Sequence, residues 1–410
     1  MDMDLDLTSY KVYGYRWVML LTFMAVVAAN QLLWITFASI TSDATKYFAV
    51  SDLQIGLLSL SFMLVYIITA VPASWVIDTY GIRVGVGIGA ALTGVFGLLR
   101  GLAAPNYTLV LVSQIGIAVG QPFILNATTK LAARWFPIQE RATASGLGSL
   151  AIYVGIVAGL ALTPYLLLIS NMRAMLIGYG LFALAAALLF FAFARENPPS
   201  APCPPGQEAR SLVFDGLKQS LRNRNFIFLL VIFFIELGIF NAVTTWVEDI
   251  VRPRGFTSTQ AGIAGGLMVL AGVIGAVIVP TLSDHYRKRT PFIILAVACA
   301  IPGLIGITYA LNYPELLVSS FVMGFFLLSA GPLGFQYAAE ITYPAPEGMS
   351  NGMVLLVGQI SGIAFIFAMD SFRTPVTGAM TPSLIVLIVL MVAALILCTR
   401  LQDSKLLNRS

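Results

Sequence analysis

One carboxylate stands in the middle of an otherwise apolar run. It is Glu236, in Phe233-Phe234-Ile235-Glu236-Leu237-Gly238, with no lysine or arginine within a helical turn. A carboxylate surrounded by hydrocarbon is costly and by default marks a functional position. Such a group can carry a proton in one state and hold an organic cation in another. Two ligands competing for one group is a mechanism for proton antiport. The alternative is a protonated glutamic acid bonded to a neighbouring helix, holding a bundle together.

Amides and an indole supply the neutral half of the chemistry. Asn30 and Trp34 are four residues apart and share a helical face, with Gln31 beside them. An amide plus an indole can bind an amine by hydrogen bonding and cation–π attraction, worth about 2 kcal/mol when desolvated. Trp34 could instead pack, or anchor at an interface. Gln114 and Gln121 are seven apart, again one face, and Gln121 precedes Pro122. The proline ring frees a carbonyl that must find a donor inside the bundle, so the glutamine can serve either the fold or a solute. Asn241 and Gln359 are secondary candidates, each a lone amide in an apolar run. Trp246 reads as an interfacial belt residue.

A second constellation sits at the ends of the apolar runs. Asp78, Arg83, Arg134, Glu140 and Arg141 fall in the first part of the chain, and Asp284, Glu340 and Glu347 take matching places in the second. Ion pairs among them could latch one side shut and break when two halves rock apart. The alternative is solvated charges that set topology.

The elements that must position these groups follow from composition. Of 410 residues, 58% are hydrophobic and 10% charged, against about 25% charged in an average soluble domain. An ordinary soluble protein is excluded. The formal charge of +4 is too small and dispersed for a nucleic-acid-binding face. Cys203, Cys299 and Cys398 are too far apart for a metal knuckle or disulfide framework, and the single histidine is His285 in a basic loop. No His-Glu-x-x-His, Gly-x-Ser-x-Gly, CxxC or phosphate-binding loop occurs, so neither an enzyme nor a nucleotide-driven pump is expected, and no cofactor or metal. The acidic start, Met1-Asp2-Met3-Asp4, predicts no cleaved leader.

A bilayer core of about 30 Å takes roughly 20 apolar residues per helix. Twelve such runs can be placed, at 15–40, 53–77, 84–103, 107–130, 142–168, 174–194, 225–250, 260–282, 291–311, 314–338, 352–369 and 382–399. With both ends cytoplasmic, seventeen Lys and Arg fall inside and six outside, the six being Lys46, Arg100, Arg173, Arg252, Arg254 and Arg373. That bias supports the count and the orientation together. The one long polar interruption, 196–223, opens Glu196-Asn197-Pro198-Pro199 and reads as a cytoplasmic linker between bundles at 1–195 and 224–410.

The two halves repeat. Asp78 returns as Asp284 and Gln54-Ile55-Gly56 as Gln260-Ala261-Gly262, both at an offset of 206, with Gly146 returning as Gly352. Phe136-Pro137 and Glu140 return as Tyr343-Pro344 and Glu347 at 207. Duplicated bundles place a solute site near the midplane where they meet. The same offset carries Asn30 onto Glu236, so the two are expected to face that site from opposite sides.

These features resemble the major facilitator superfamily over the whole chain: Asp78-Thr79-Tyr80-Gly81-Ile82-Arg83 is similar to its Asp-Arg-x-Gly-Arg loop. Within it the chain resembles the feline leukaemia virus subgroup C receptor family, on Asn30, Trp34, Gln121-Pro122-Phe123-Ile124-Leu125 and Glu340-Ile341-Thr342-Tyr343-Pro344 followed by Glu347-Gly348. The resemblance implies an all-α membrane protein of two six-helix bundles, and transport of choline, ethanolamine or haem. It further implies that Trp34 and Gln121 surround a quaternary amine. A tyrosine of that site falls on Asn241 here, which removes half of a cation–π cage, and Glu236 could supply by charge what the ring would have supplied.

The expected function is therefore secondary transport of a small organic solute by alternating access, with a choline-like cation favoured by Glu236 and Trp34. Haem-like or drug-like export, a uniporter or anion carrier, and a receptor or scaffold without transport are the alternatives. Haem would want an axial ligand that His285 cannot reach, and an anion would want a mid-helix cation that the sequence does not offer. The expected partners are the small-molecule substrate and the lipid bilayer, with no nucleic acid, and the working form is expected to be a monomer.

Overall fold

The structure, a computed structural model, describes residues 12–200, 221–342, 347–374 and 377–402, apart from the side chains of 138, 139, 142, 347–349 and 351. Cys203 and much of the 196–223 segment lie outside these residues, as does the side chain of Glu347.

Among the described residues, twelve helical spans are long and apolar enough to cross a bilayer, six on each side of the 196–223 segment, which makes this a multi-pass membrane protein with two six-helix bundles. The helices before the 196–223 segment are α1 (Tyr15–Ile35), α2 (Thr41–Phe48), α3 (Asp52–Tyr80), α4 (Ile82–Ala103), α5 (Tyr107–Leu125), α6 (Thr128–Trp135), α7 (Ile138–Ile169) and α8 (Met172–Phe193). After it come α9 (Arg224–Thr245), α10 (Val247–Val251), α11 (Ser258–Tyr286), α12 (Thr290–Tyr309), α13 (Tyr313–Thr342), α14 (Glu347–Ser371) and α15 (Thr381–Cys398).

Two of the expected runs end early, and the short helices that follow them start at the same place in the repeat. The run at 15–40 is helical only to Ile35 and the run at 225–250 only to Thr245, and each is followed by a short helix, α2 or α10, starting at Thr41 and Val247. Hydropathy alone could not see either break, because the residues across it stay apolar.

Caps explain one of the repeated sequence matches. Gln54 and Gln260 are the third residues of reciprocal N-terminal caps. Gln54 Oε1 accepts from Ser51 N–H at 3.0 Å while Ser51 Oγ accepts from Gln54 N–H at 3.3 Å. Thr257 and Gln260 do the same at 3.0 and 3.2 Å. Two orphan donors are satisfied at each helix start. The repeat therefore preserved a folding signal there. Asn106 and Asn171 cap α5 and α8 by accepting from Leu109 and Ala174 N–H.

The chain packs into two compact units. The first comprises the described residues of Met1–Trp34, Val65–Gly155 and Ser170–Ser211; within it α4 lies along α5 and α8. The second comprises those of Ile35–Leu64, Ile156–Ile169 and Leu212–Ser410; within it α13 lies along α11 and α12, and α14 along α9. The first four changeovers fall inside α1, α3 and α7 or at their ends, so residues 35–64 and 156–169 belong to the second unit although they precede the polar segment.

Candidate functional site

In the first unit, Asn30 is fully buried and its amide is used up. Nδ2 donates to Thr93 Oγ1 on α4 at 3.1 Å and to Ile117 O on α5 at 3.4 Å, and Oδ1 accepts from Gln31 Nε2 at 3.3 Å. A side chain with both amide hydrogens and its oxygen engaged ties α1 to α4 and α5. Gln31 is buried with it, and its Cβ lies opposite Gly155, where an added Cβ would come within 2.8 Å. Trp34 is buried at the end of α1. Gln121 is buried too, at 6% exposure, yet its side chain makes no hydrogen bond among the described residues. The fold does not use that amide for the carbonyl freed by Pro122.

In the second unit, Glu236 sits halfway along α9 at 3% exposure, and its Oε1 has no hydrogen-bond partner. No described cation pairs with the carboxylate. A buried polar atom without a partner is rare, and it asks for a bound ligand or proton as its explanation. Asn241, one turn further along, donates from Nδ2 to Gly358 O on α14 at 3.5 Å, a long contact, and lies over Gly362. Gln359 is partly exposed.

A charge cluster of which the sequence reading names only Arg252 and Arg373, as external charges, lies at the far end of α9. Asp52 Oδ2 accepts from Arg252 Nη2 at 2.7 Å and from Arg373 Nη1 at 2.6 Å, while Asp249 Oδ1 accepts from Arg252 Nη2 at 3.0 Å and from Arg373 Nη2 at 3.1 Å. Four charges thus close a ring, which draws together the first turn of α3, the end of α10 and the segment after α14. Asp249 is fully buried, and burial pushes its carboxyl up to about 7 against the opposing pull of Arg373 and Arg252. Glu248, also buried, is held above the usual range by desolvation; it accepts from Ser42 N–H at 2.8 Å at the start of α2 and also from the Ser42 and Ser258 hydroxyls.

Trp246 belongs to this cluster and not to an interfacial belt. It is wholly buried, its Nε1 donates to Ile366 O at 3.2 Å, and Arg373 lies over its ring at 4.9 Å. Gly56 makes room for it: a Cβ there would stand 2.5 Å from the indole. A belt tryptophan needs a wet edge, and this one has none.

Asp78, Arg134, Glu140, Asp284 and Glu340 each pair within their own unit. In the first, Asp78 binds Lys130 at 2.9 Å, Glu140 takes Arg16 by two oxygens at 2.9 and 3.2 Å, and Arg134 pairs with Glu196. Glu196 also accepts from the N–H groups of Ile82 and Arg83, at 3.0 and 2.7 Å, whereas the Arg83 side chain is exposed and makes no ion pair among the described residues. Gly81, at φ 92°, admits it. Arg141 donates to Phe136 O. In the second unit Arg289 joins Asp284 to Glu340, the latter at 3.1 Å. Lys130, Glu196, Arg16 and Arg289 are the partners that sequence reading did not single out for these roles. An acid or base needing an opposite charge nearby was the available signal.

Sequence and structural relatives agree with this fold. The pattern of the Major Facilitator Superfamily matches residues 18–366. Solute carrier family 49 member A3 of Xenopus tropicalis is 29% identical, over 90% of this chain and 80% of its own length. The choline/ethanolamine transporter FLVCR2 of Homo sapiens is 28% identical, over 88% of this chain and 72% of its own. Among solved structures, a bacterial homolog to the human lysosomal transporter Spinster, in an inward-facing and unoccupied conformation, superposes with a TM-score of 0.73. That similarity covers 95% of this chain and 96% of the homolog at 16% identity, and it concerns the fold alone.

Proposed function

This chain belongs to the Major Facilitator Superfamily of membrane transporters, and from that premise we propose that it carries a small organic amine, choline-like in its charge, by alternating access. The observation that carries the reading is Glu236: a carboxylate at 3% exposure, mid-helix, with no hydrogen bond or ion pair among the described residues. Either a proton or an organic cation would relieve it, and exchange of one for the other couples amine movement to a proton gradient. Trp34 and Gln121 are the proposed ring and amide for the substrate, with Asn241 and Gln359 as further polar contacts. The naming of FLVCR2 as a choline/ethanolamine transporter supports the substrate class. Asn30, whose amide bonds α4 and α5, and Gln31, whose amide bonds Asn30, are assigned to holding α1 in place.

The same reading places the protein in the cell membrane as a monomer with both termini cytoplasmic. Its bundles are 1–195 and 224–410, joined by a linker at 196–223. Asp78, Arg83, Arg134, Glu140, Arg141, Asp284, Glu340 and Glu347 then lie on the cytoplasmic side as its gate charges. The 52–249–252–373 ring lies on the other.

The test is uptake of radiolabelled choline and ethanolamine into proteoliposomes, with and without a pH gradient, for wild type and Glu236→Gln. Saturable wild-type uptake that responds to the gradient, and a Glu236→Gln variant that does not, is the expected result. Equal rates and equal proton dependence in the two proteins would make Glu236 structural.

A further inference from the structure

Arg100 is a cation inside a membrane-spanning helix, three residues before the end of α4, and it is fully buried. Counted from sequence, it was one of six external charges. Its Nη1 donates to Leu33 O at 2.8 Å and to Gln114 Oε1 at 2.9 Å, and Gln114 Nε2 donates to the same Leu33 carbonyl at 3.2 Å. Arg100, Gln114 and Leu33 therefore form a closed triangle of hydrogen bonds, all three residues at 0% exposure.

The carbonyl they hold belongs to the last turn of α1, where a helix leaves its final C=O groups without internal donors and where a positive charge is favoured by the helix dipole. The Leu33 side chain is held as well. It lies against Gly97, one turn before Arg100, where an added Cβ would come within 2.6 Å of Leu33 Cδ2. Close backbone approach of α4 to α8, at Gly101 against Ile177 and Gly180 against Leu98, fixes the helix that carries the arginine. The next residue after Leu33 is Trp34, the last of the first compact unit.

The repeat shows what the fold can do without. At the offset of 206, Arg100, Gln114 and Leu33 correspond to Gly306, Ser320 and Ile239, so the second half builds its equivalent helices with no cation and no amide at these places. A buried charge is retained in one copy only, where the helix end carries the candidate aromatic.

We infer that Arg100, with Gln114, is a positioning residue for substrate binding: it clamps the end of α1 and so fixes where Trp34 presents its ring. This rests on the proposed role of Trp34. Both bonds leave one nitrogen, Nη1, so the charge and the reach of the side chain count together, and a lysine supplies the charge without the planar guanidinium that aims it.

The experiment measures choline uptake kinetics in proteoliposomes for wild type, Arg100→Gln, Arg100→Lys, Gln114→Leu and Trp34→Phe, with unfolding temperatures of the same preparations. Arg100→Gln and Gln114→Leu are expected to raise KM by about fivefold with the maximal rate within twofold, and Arg100→Lys to recover part of that loss. A KM unchanged in both Arg100→Gln and Gln114→Leu, while Trp34→Phe raises it, overturns the clamp and leaves the role of Trp34 standing. A Trp34→Phe variant indistinguishable from wild type overturns the role of Trp34 and the clamp with it. If Arg100→Gln does not fold, Gln114→Leu, which keeps the charge, decides by the same criteria.

Discussion

Asn30 and Glu236 occupy the same position in the repeated half, 206 residues apart, and end in opposite states. Asn30 spends its amide on Thr93, Ile117 and Gln31, whereas Glu236 is buried with no partner on any described residue. One copy of the duplicated helix has become a strut and the other has kept an unmet polar group. The comparison teaches that burial of a polar side chain in an apolar run does not by itself indicate a binding role; what matters is whether the fold has already consumed its hydrogen-bonding capacity.

Substitutions at the two positions should therefore separate transport from stability. The largest effect is expected from Glu236→Gln: choline uptake driven by a proton gradient falls by at least about tenfold, the loss of roughly 1.4 kcal/mol of interaction. The unfolding temperature stays level or rises, since a buried group without a partner costs the fold more than it returns. A parallel loss of stability would break the comparison. Asn30→Ala is expected to do the reverse. It removes three hydrogen bonds and leaves the Thr93 and Ile117 partners bare, costing about 2 kcal/mol in denaturant unfolding, with uptake per folded molecule near wild type.

Asp249 sharpens the contrast, because it is a buried carboxylate that does have partners. Its carboxyl is raised to about 7 in the folded protein. The folded state therefore binds a proton more readily than the unfolded chain. Stability from this group is full below the ordinary aspartate range and is lost as pH rises through about 7. Unfolding temperatures measured from pH 5 to 8 should fall for wild type and flatten for Asp249→Asn; identical slopes would refute the assignment.

The smallest effects are expected at the charge triads that repeat at 78, 83 and 134 and at 284, 289 and 340. In the second copy Arg289 pairs directly with Glu340, and the pair is nearly buried. In the first, position 134 is an arginine, which pairs with Glu196 at the start of the polar segment, both side chains about a third exposed, while the Arg83 side chain is exposed and makes no ion pair among the described residues. Glu340→Gln is expected to cost about 1 kcal/mol or more and Glu196→Gln less than that, in the same unfolding assay. The reverse order would mean that the polar segment contributes more to the fold than the direct pair.

The twelve spans, the repeat and the isolation of Glu236 were legible because each is a local property: a length of hydrocarbon, an offset, an absence of neighbouring charge. Both capped helix starts at Gln54 and Gln260 were visible as matches, though their meaning as caps was not. Other facts were decided only by tertiary structure. The sequence placed Asn30 and Gln121 alike as amides in apolar helices, yet packing left one bonded three times and the other without a bond among the described residues. It placed Arg100 and Trp246 near helix ends, where exposure was expected, and packing buried both. The physical reason is the same in each case. Whether a polar group is satisfied depends on donors and acceptors contributed by other helices, 63 residues away for Asn30 and Thr93 and 120 for Trp246 and Ile366, and no periodicity in one helix records them.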